Sequence, residues 1–276
     1  MTNQKKSKLE RVIEREGLSE EEAITALRSS RGKIYKPQKI RFSRKHLKYM
    51  YISDTHIGHQ KFSEELFDKA IQLARREKVE FIVNAGDHLE GMSHRPGHVY
   101  ELTHIGFNQQ IKRAADLYNQ FNGIPHYGID GNHDQWYFRP QNAGVIVGEE
   151  LEQRVKGYKN LGQDEGDLIV TPNLKIKLFH ANDGSAYANS YKLQKLIESF
   201  SGGEKPAIVH SGHYHKALYM FTRGVHGFEC GTLMGQSRWM RGKKIPAHMG
   251  FGIVDVYYNK LGVERLKHEF IPHYTE

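Results

Sequence analysis

Five short clusters of Asp, Asn and His recur along this chain, each after an apolar, strand-like run, and no other feature narrows its fold so far. Ser53-Asp54-Thr55-His56 follows the run Tyr49–Ile52. Asn84-Ala85-Gly86-Asp87 closes Phe81–Asn84, and Asp130-Gly131-Asn132-His133-Asp134 follows His126–Ile129. Phe179-His180-Ala181-Asn182-Asp183 ends Ile176–Phe179, and His210-Ser211-Gly212-His213-Tyr214-His215 ends Ala207–His210. Ligands of open α/β sheets gather beyond the carboxyl ends of the strands. Carboxylate and imidazole are donors that suit Mn, Fe or Zn. Asp-x-His and His-x-His put both donors on one side of an extended chain, because residues i and i+2 share a face. Glycine before Asp87, Asn132 and His213 permits close approach of backbone to a bound group. A single Asp-x-His or Gly-Asp says little; all five clusters in series, each after an apolar run, define a candidate metal centre.

The segments between these clusters set the fold class. Phe62–Lys78, Gln109–Phe121 and Ser190–Phe200 have helical apolar periodicity, so strands alternate with helices as in an α/β domain. Phe251–Tyr258, the short loop Asn259–Gly262 and Val263–Phe270 predict a terminal β-hairpin, which adds antiparallel strands and makes the sheet system mixed. Residues 91–110 form a long polar segment with His94, Arg95, His98 and His104, and a loop of that length in a compact domain is commonly functional. The other histidines beside the clusters, His59, His88 and His210 among them, are expected at the surface or behind the ligands, with His88, next to Asp87, a candidate substrate contact. Asn182 and Tyr187 are candidates for the site wall.

The N-terminus is different in kind. Residues 1–49 hold 14 Lys and Arg against 6 Asp and Glu, which accounts for the whole net charge of +8. Lys6–Glu16, ended by Gly17, and a second stretch opened by the Ser19…Glu22 capping box predict two short helices, followed by a basic linker with Pro37. The expected organisation is a basic helical appendage and linker over residues 1–45 and a main domain over 46–276. The appendage is a candidate for attraction to nucleic-acid phosphates or for packing on the main domain.

Composition excludes several classes. With 38% hydrophobic and 26% charged residues the chain is neither fibrous nor disordered. No apolar stretch approaches the roughly 20 residues that span a bilayer. The polar, basic start has no secretory h-region, and Cys230 is the only cysteine, so a cytoplasmic protein without disulfides is expected.

Taken together, Asp54-x-His56, Gly86-Asp87, Gly131-Asn132-His133-Asp134, His180 and Gly212-His213-x-His215 resemble the calcineurin-like metallophosphoesterases over roughly residues 48–270. The resemblance implies two packed mixed β-sheets flanked by helices, with two divalent ions, Mn first and Fe or Zn as alternatives, at the strand ends. It implies that Asp54, His56, Asp87 and His215 hold one ion, and that Asp87, bridging, holds the second with Asn132, His180 and His213. His133 becomes the catalytic, non-ligand histidine, with Asp134 orienting and charge-stabilising it. Such an ion pair clamps a phosphoryl group and acidifies the attacking water. The chain departs from the protein-phosphatase pattern, since Asp87 is followed by His88-Leu89-Glu90-Gly91 and the third motif ends in Asp134. It is closer to the DNA-repair nuclease branch, with Glu90 standing where that branch has a further acidic residue. A nucleic-acid phosphodiesterase or nuclease is the expected function. The basic residues 1–49, the run Trp136-Tyr137-Phe138-Arg139 and the segment Arg238-Trp239 with Arg241, Lys243 and Lys244 are candidate nucleic-acid contacts. A small-molecule phosphatase or nucleotide pyrophosphatase, and a non-catalytic scaffold, are the alternatives.

Overall fold

The computed structural model describes residues 35–42, 45–138 and 144–274, and the two expected N-terminal helices lie outside them. The twelve strands among these residues are β1 (Gln38–Lys39), β2 (His46–Ile52), β3 (Phe81–Asn84), β4 (His126–Asp130), β5 (Tyr158–Gln163), β6 (Glu165–Thr171), β7 (Leu174–His180), β8 (Ile208–Gly212), β9 (Ala217–Thr222), β10 (Val225–Cys230), β11 (Gly250–Asn259) and β12 (Gly262–Pro272). The helices are α1 (Glu64–Arg76), α2 (Phe107–Tyr118), α3 (Val147–Arg154), α4 (Tyr191–Ser199) and α5 (Arg238–Lys243). The strands form two six-stranded sheets, ordered β12-β11-β2-β3-β4-β5 and β1-β6-β7-β8-β10-β9. Both are mixed. β2 to β5 run parallel while β11 is antiparallel to β2 and β12, and β7, β8 and β10 run parallel between antiparallel neighbours.

The side-chain alternation of β2 builds the layers. Met50 and Ile52 point into a core shared with α1, α2 and α3, where Leu66, Phe67, Ile111 and Leu151 are buried. Leu47, Tyr49 and Tyr51 point the other way, against Ile176, Leu178, Ile208 and Phe228 of the second sheet. Leu193 and Ile197 of α4 cover the far face of that sheet over Val209 and Val225. The order of layers is helix, sheet, sheet, helix, so central strands such as β3 are buried on both faces and read as apolar runs. α1 shows how local signals fix an element. Ser63 caps it by accepting from the Leu66 amide at 3.1 Å, Glu64 and Glu65 lie in its first turn and Arg75 and Arg76 in its last.

The expected hairpin is β11–β12, with Tyr258 opposite Val263. Five strands were not anticipated: β1, β5, β6, β9 and β10. The polar 91–110 segment contains a turn of 3-10 helix at His98–Glu101 and supplies the start of α2. Residues 35–40, inside the stretch expected to be a linker, pass from β5 of the first sheet, which Tyr35 and Lys36 meet at Gly162 and Leu161, to the edge of the second. Gln38 and Lys39 pair with Leu168 and Ile169, and the Tyr35 hydroxyl donates to Asp167 at 2.6 Å. No described helix is long and apolar enough to cross a membrane.

Candidate metal centre

The strands of both sheets deliver their carboxyl ends to one place. Asp54 and His56 follow β2, Asp87 follows β3, Asn132 to Asp134 follow β4, His180 ends β7, and His213 and His215 follow β8. The side chains meet in two overlapping groups. His215 Nε2 lies 3.3 Å from Asp54 Oδ1 and 3.0 Å from His56 Nε2, and His56 Nε2 lies 3.8 Å from Asp87 Oδ2. On the other side of Asp87, His180 Nε2 lies 3.2 Å from Oδ2 and 3.0 Å from Asn132 Oδ1, which is 2.8 Å from His213 Nδ1. The donors of Asp54, His56 and His215 fall within 4.8 Å of one another, and so do those of Asp87, His180 and His213. Asp87 touches both groups.

The backbone at these positions is unusual. Ten non-glycine residues among those described have positive φ, and five of them are Asp54 (50°), His56 (49°), Asp87 (54°), His213 (85°) and His215 (54°). Each such residue costs on the order of 1–3 kcal/mol, which persists where surrounding structure imposes it, commonly at functional sites. A Cβ at Gly131 would overlap Asp87 Oδ1 and the Asp87 amide, so only glycine lets the loop after β4 close over the centre.

The ring nitrogens that face the centre are set by partners behind them. His56 Nδ1 is bonded to Glu90 Oε2 at 2.8 Å, His180 Nδ1 donates to the Ala85 carbonyl at 2.6 Å, and His213 Nε2 donates to the Asp183 carbonyl at 2.8 Å. Each carbonyl or carboxylate fixes a tautomer and leaves the other nitrogen with its lone pair inward, the usual support for a metal-bound imidazole. Asp54 and Asp87 are almost fully buried, and the ion-pair partners of both, among the described residues, are histidines rather than Lys or Arg. Burial opposes ionisation of Asp87, yet His180, His133 and His56 hold its carboxyl well below the usual range. His56 and His180 are pushed up to about 9, burial being outweighed by Glu90 for the first and by Asp87 for the second. Buried carboxylates partnered by imidazoles rather than by Lys or Arg, each imidazole able to give up its proton on metal binding, fit divalent cations.

Three expectations need correction. Asp134 does not contact the His133 ring. Its carboxylate accepts from the amides of His88 (3.1 Å), Leu89 (2.9 Å) and Gly131 (2.9 Å), which ties the loop after β4 to the loop after β3. Burial, with Asp87 nearby, raises its pKa to about 7. Glu90 occupies the place expected of Asp134, for His133 Nδ1 donates to the Glu90 carbonyl at 2.8 Å and lies 3.6 Å from Oε2. His88 turns into the core between the hydroxyls of Tyr118 (3.0 Å) and Tyr158 (2.8 Å), where burial lowers its pKa to about 3. Tyr187 is fully exposed and Asn182 lines a separate small cavity, while Asp183, Gly184 and Ser185 reach the centre instead.

The centre opens into a cleft of ≈ 350 Å³. Ser93, Arg95, His98 and Glu101 of the 91–110 segment form one wall, and Trp239 and Met240 of α5 another. Trp136 also lines it, with its ring centroid 4.0 Å from that of His133, whereas Tyr137 packs into the core against Phe107. Arg139 lies outside the described residues. His98 was the least visible contributor. It is buried, and its Nε2 lies 2.7 Å from Glu90 Oε1, so the one carboxylate joins His98 to His56.

Two packed mixed sheets whose strand ends assemble a buried Asp/Asn/His cluster that could hold metal are the arrangement expected of the metallophosphoesterase fold. The chain belongs to the calcineurin-like phosphoesterase family, whose model matches residues 47–228. Among curated proteins it is similar to the DNA polymerase II small subunit of Methanothermobacter thermautotrophicus, 24% identical over 256 residues, covering 76% of this chain and 52% of that one. The small subunit from Pyrococcus furiosus is 24% identical over 252 residues, covering 74% and 40%. The chain thus spans about half, or less, of the length of these relatives. Solved structures similar to it include a novel archaeal phosphodiesterase, at 16% identity and TM-score 0.48, covering 82% of this chain and 100% of that one. YfcE of E. coli matches at 13% identity and TM-score 0.43, with coverages of 80% and 98%. Zinc-bound Vps29 of Entamoeba histolytica matches at 14% and 0.41, with coverages of 82% and 99%.

Proposed function

We propose that this protein hydrolyses phosphodiester bonds of nucleic acid with two divalent metal ions, Mn first among them. Asp54, His56, Asp87 and His215 hold one ion; Asp87, Asn132, His180 and His213 hold the other. Two such ions supply charge stabilisation at the phosphoryl group and a nucleophile at neutral pH. The protein's own residues do the rest. Asp87 sets the spacing of the two sites, because it is the one carboxylate that faces both groups. The Glu90 carbonyl fixes the proton of His133 on Nδ1, so Nε2 is the atom that holds or moves a proton at the leaving oxygen. Trp136, packed at a tilt against His133, restricts the ring to that pose. Asp134 acts through the backbone, holding the loop that carries Asn132 and His133.

The rim of the cleft carries the choice of nucleic acid. Arg238, Arg241, Lys243 and Lys244 are exposed on and just after α5, whose Trp239 and Met240 face the cleft. A cationic rim favours a polyanion over a small neutral-tailed ester. The name carried by the curated relatives, a subunit of a DNA polymerase, supports the same substrate. Residues 1–45, as a basic appendage, would extend the contact along the strand. The modest size of the cleft, ≈ 350 Å³, favours the second reading, a small-molecule phosphatase or nucleotide pyrophosphatase.

Hydrolysis of a phosphomonoester, a simple phosphodiester, and single- and double-stranded DNA and RNA, with and without chelator, separates the readings. Chelator-sensitive cleavage of nucleic acid is expected, lost on deleting residues 1–45 while the simple diester is still cleaved. Cleavage of small esters alone, untouched by that deletion, would favour the second reading. No chelator-sensitive hydrolysis of any substrate would leave a binding scaffold.

A further inference from the structure

The cleft has two halves of opposite chemistry. One half is the Asp/Asn/His centre. The other is formed by the large apolar side chains Trp136, Met234, Trp239, Met240 and Ile245. The chain has two tryptophans, and both line this cleft.

Both rings are held. Trp136 lies against His133 and meets His98 edge-on, with ring centroids 5.8 Å apart. Trp239 stays 45% exposed and is therefore open to a ligand in the cleft. The Arg95 guanidinium stands 5.9 Å from its ring centroid, and Glu101 grips Arg95 at 2.5 and 3.3 Å. The helix that carries Trp239 is fixed by Ser237, which accepts from the Met240 amide at 3.2 Å, and by Met240, buried beneath it. The Ser237 hydroxyl accepts from Met240, the Ser93 hydroxyl accepts from the Arg95 amide, and the Arg95 charge is matched by Glu101. The aromatic and thioether side chains of this wall suit the face of a planar group.

We infer that this aromatic wall receives the face of one unpaired nucleobase beside the scissile phosphate, so that the substrate is a single strand or a frayed end, taken without regard to base identity. The inference rests on the nucleic-acid reading above and adds to it which form of nucleic acid is bound and by which residues. Stacking on aromatic rings is worth about 1–3 kcal/mol per base and tolerates any sequence, since every base has a π-face. A base inside a duplex has both faces covered by its neighbours and must leave the stack to reach such a wall.

The test uses the full chain loaded with Mn. Cleavage of oligo(dT) is compared with cleavage of an oligomer of equal length in which tetrahydrofuran abasic sites replace the nucleosides. The wild type should prefer the base-bearing strand in kcat/KM by about 5- to 150-fold, the range that such stacking energies convert to. Trp239→Ala should bring the ratio close to one, and Trp239→Phe should keep most of it. Oligo(dA) and oligo(dT) should be cleaved within a few-fold of each other, and a blunt duplex more slowly than either. A wild-type ratio near one, or a full ratio retained in Trp239→Ala, overturns the inference. If no phosphodiester is cleaved at all, the hydrolytic reading fails, and the wall is judged by tryptophan fluorescence. Quenching by oligo(dT) but not by the abasic oligomer upholds the wall; equal quenching by both, or by neither, overturns it.

Discussion

Glu90 Oε2 lies 2.8 Å from His56 Nδ1, and both residues are buried. The contact fixes the imidazole so that Nε2 faces Asp54, Asp87 and His215. Removing a partner behind a metal-bound histidine typically lowers metal affinity about 10- to 100-fold. Glu90→Gln should therefore bind Mn measurably but more weakly, by about that factor, in a competition titration with a calibrated chelator. Glu90→Ala should be weaker again, since it also frees His98. Wild-type affinity in both variants would remove Glu90 from the account.

Bound metal should stabilise the fold. Metal-free, the buried Asp54 and Asp87 carboxylates have only imidazoles as ion-pair partners among the described residues. An ion at 100 times its dissociation constant adds about 2.7 kcal/mol, and for a chain of this size each kcal/mol raises Tm by roughly 2–4 °C. Scanning calorimetry should show a rise of about 5–10 °C on adding Mn to chelator-treated protein. Asp87→Ala should show almost none.

Acid should destabilise the metal-free protein in a definite window. Burial lowers the pKa of His210 to about 3 and that of His126 well below its ordinary value. Unfolded, each histidine takes up a proton below about pH 6.5, whereas the folded forms do not, so stability falls as pH drops from about 6.5 towards 4.5. The slope is about 1.4 kcal/mol per pH unit for each histidine that stays neutral only when folded. His126 has no hydrogen-bond partner for either ring nitrogen among the described residues and packs on Tyr118, Phe121 and Tyr158. Urea unfolding in chelator at pH 7 and pH 5 should show the loss, and His126→Leu should shrink it. An unchanged slope in that variant would mean that His126 is protonated in the native state.

The exposed cations of α5 should set the salt dependence of nucleic-acid binding. Arg238→Gln with Lys243→Gln should weaken single-strand binding uniformly across sequences. It should also reduce the slope of log affinity against log salt by about 0.7 for each phosphate that is no longer neutralised. An unchanged slope would place the strand elsewhere.

Much of this centre was legible because donor residues sit directly after apolar strands, where sequence order already implies convergence. The strands β2, β3, β4, β7 and β8 were read within a few residues for the same reason: each contains a short, largely buried apolar run. β6 opens Glu-Gly-Asp and β9 is only half-buried, so neither shows that pattern. The role of Asp134 was misread because sequence adjacency to His133 does not fix side-chain direction. The amides that capture Asp134 come partly from His88 and Leu89, more than forty positions away. His98 was invisible as a partner of Glu90, since only the folding of the 91–110 segment brings them together. The left-handed backbone at Asp54, His56, Asp87, His213 and His215 likewise has no mark in the residue types.

The separation of His133 from the metal donors is the claim most open to direct test. Metal content by inductively coupled plasma mass spectrometry, beside chelator-sensitive cleavage of single-stranded DNA, should be measured on wild type, His133→Ala and Asp87→Ala. Two equivalents of Mn are expected in wild type and in His133→Ala, with turnover about 10²- to 10⁴-fold lower in that variant. Asp87→Ala should lose metal and activity together. A His133→Ala protein that cleaves like wild type, or that loses its metal, would contradict the account.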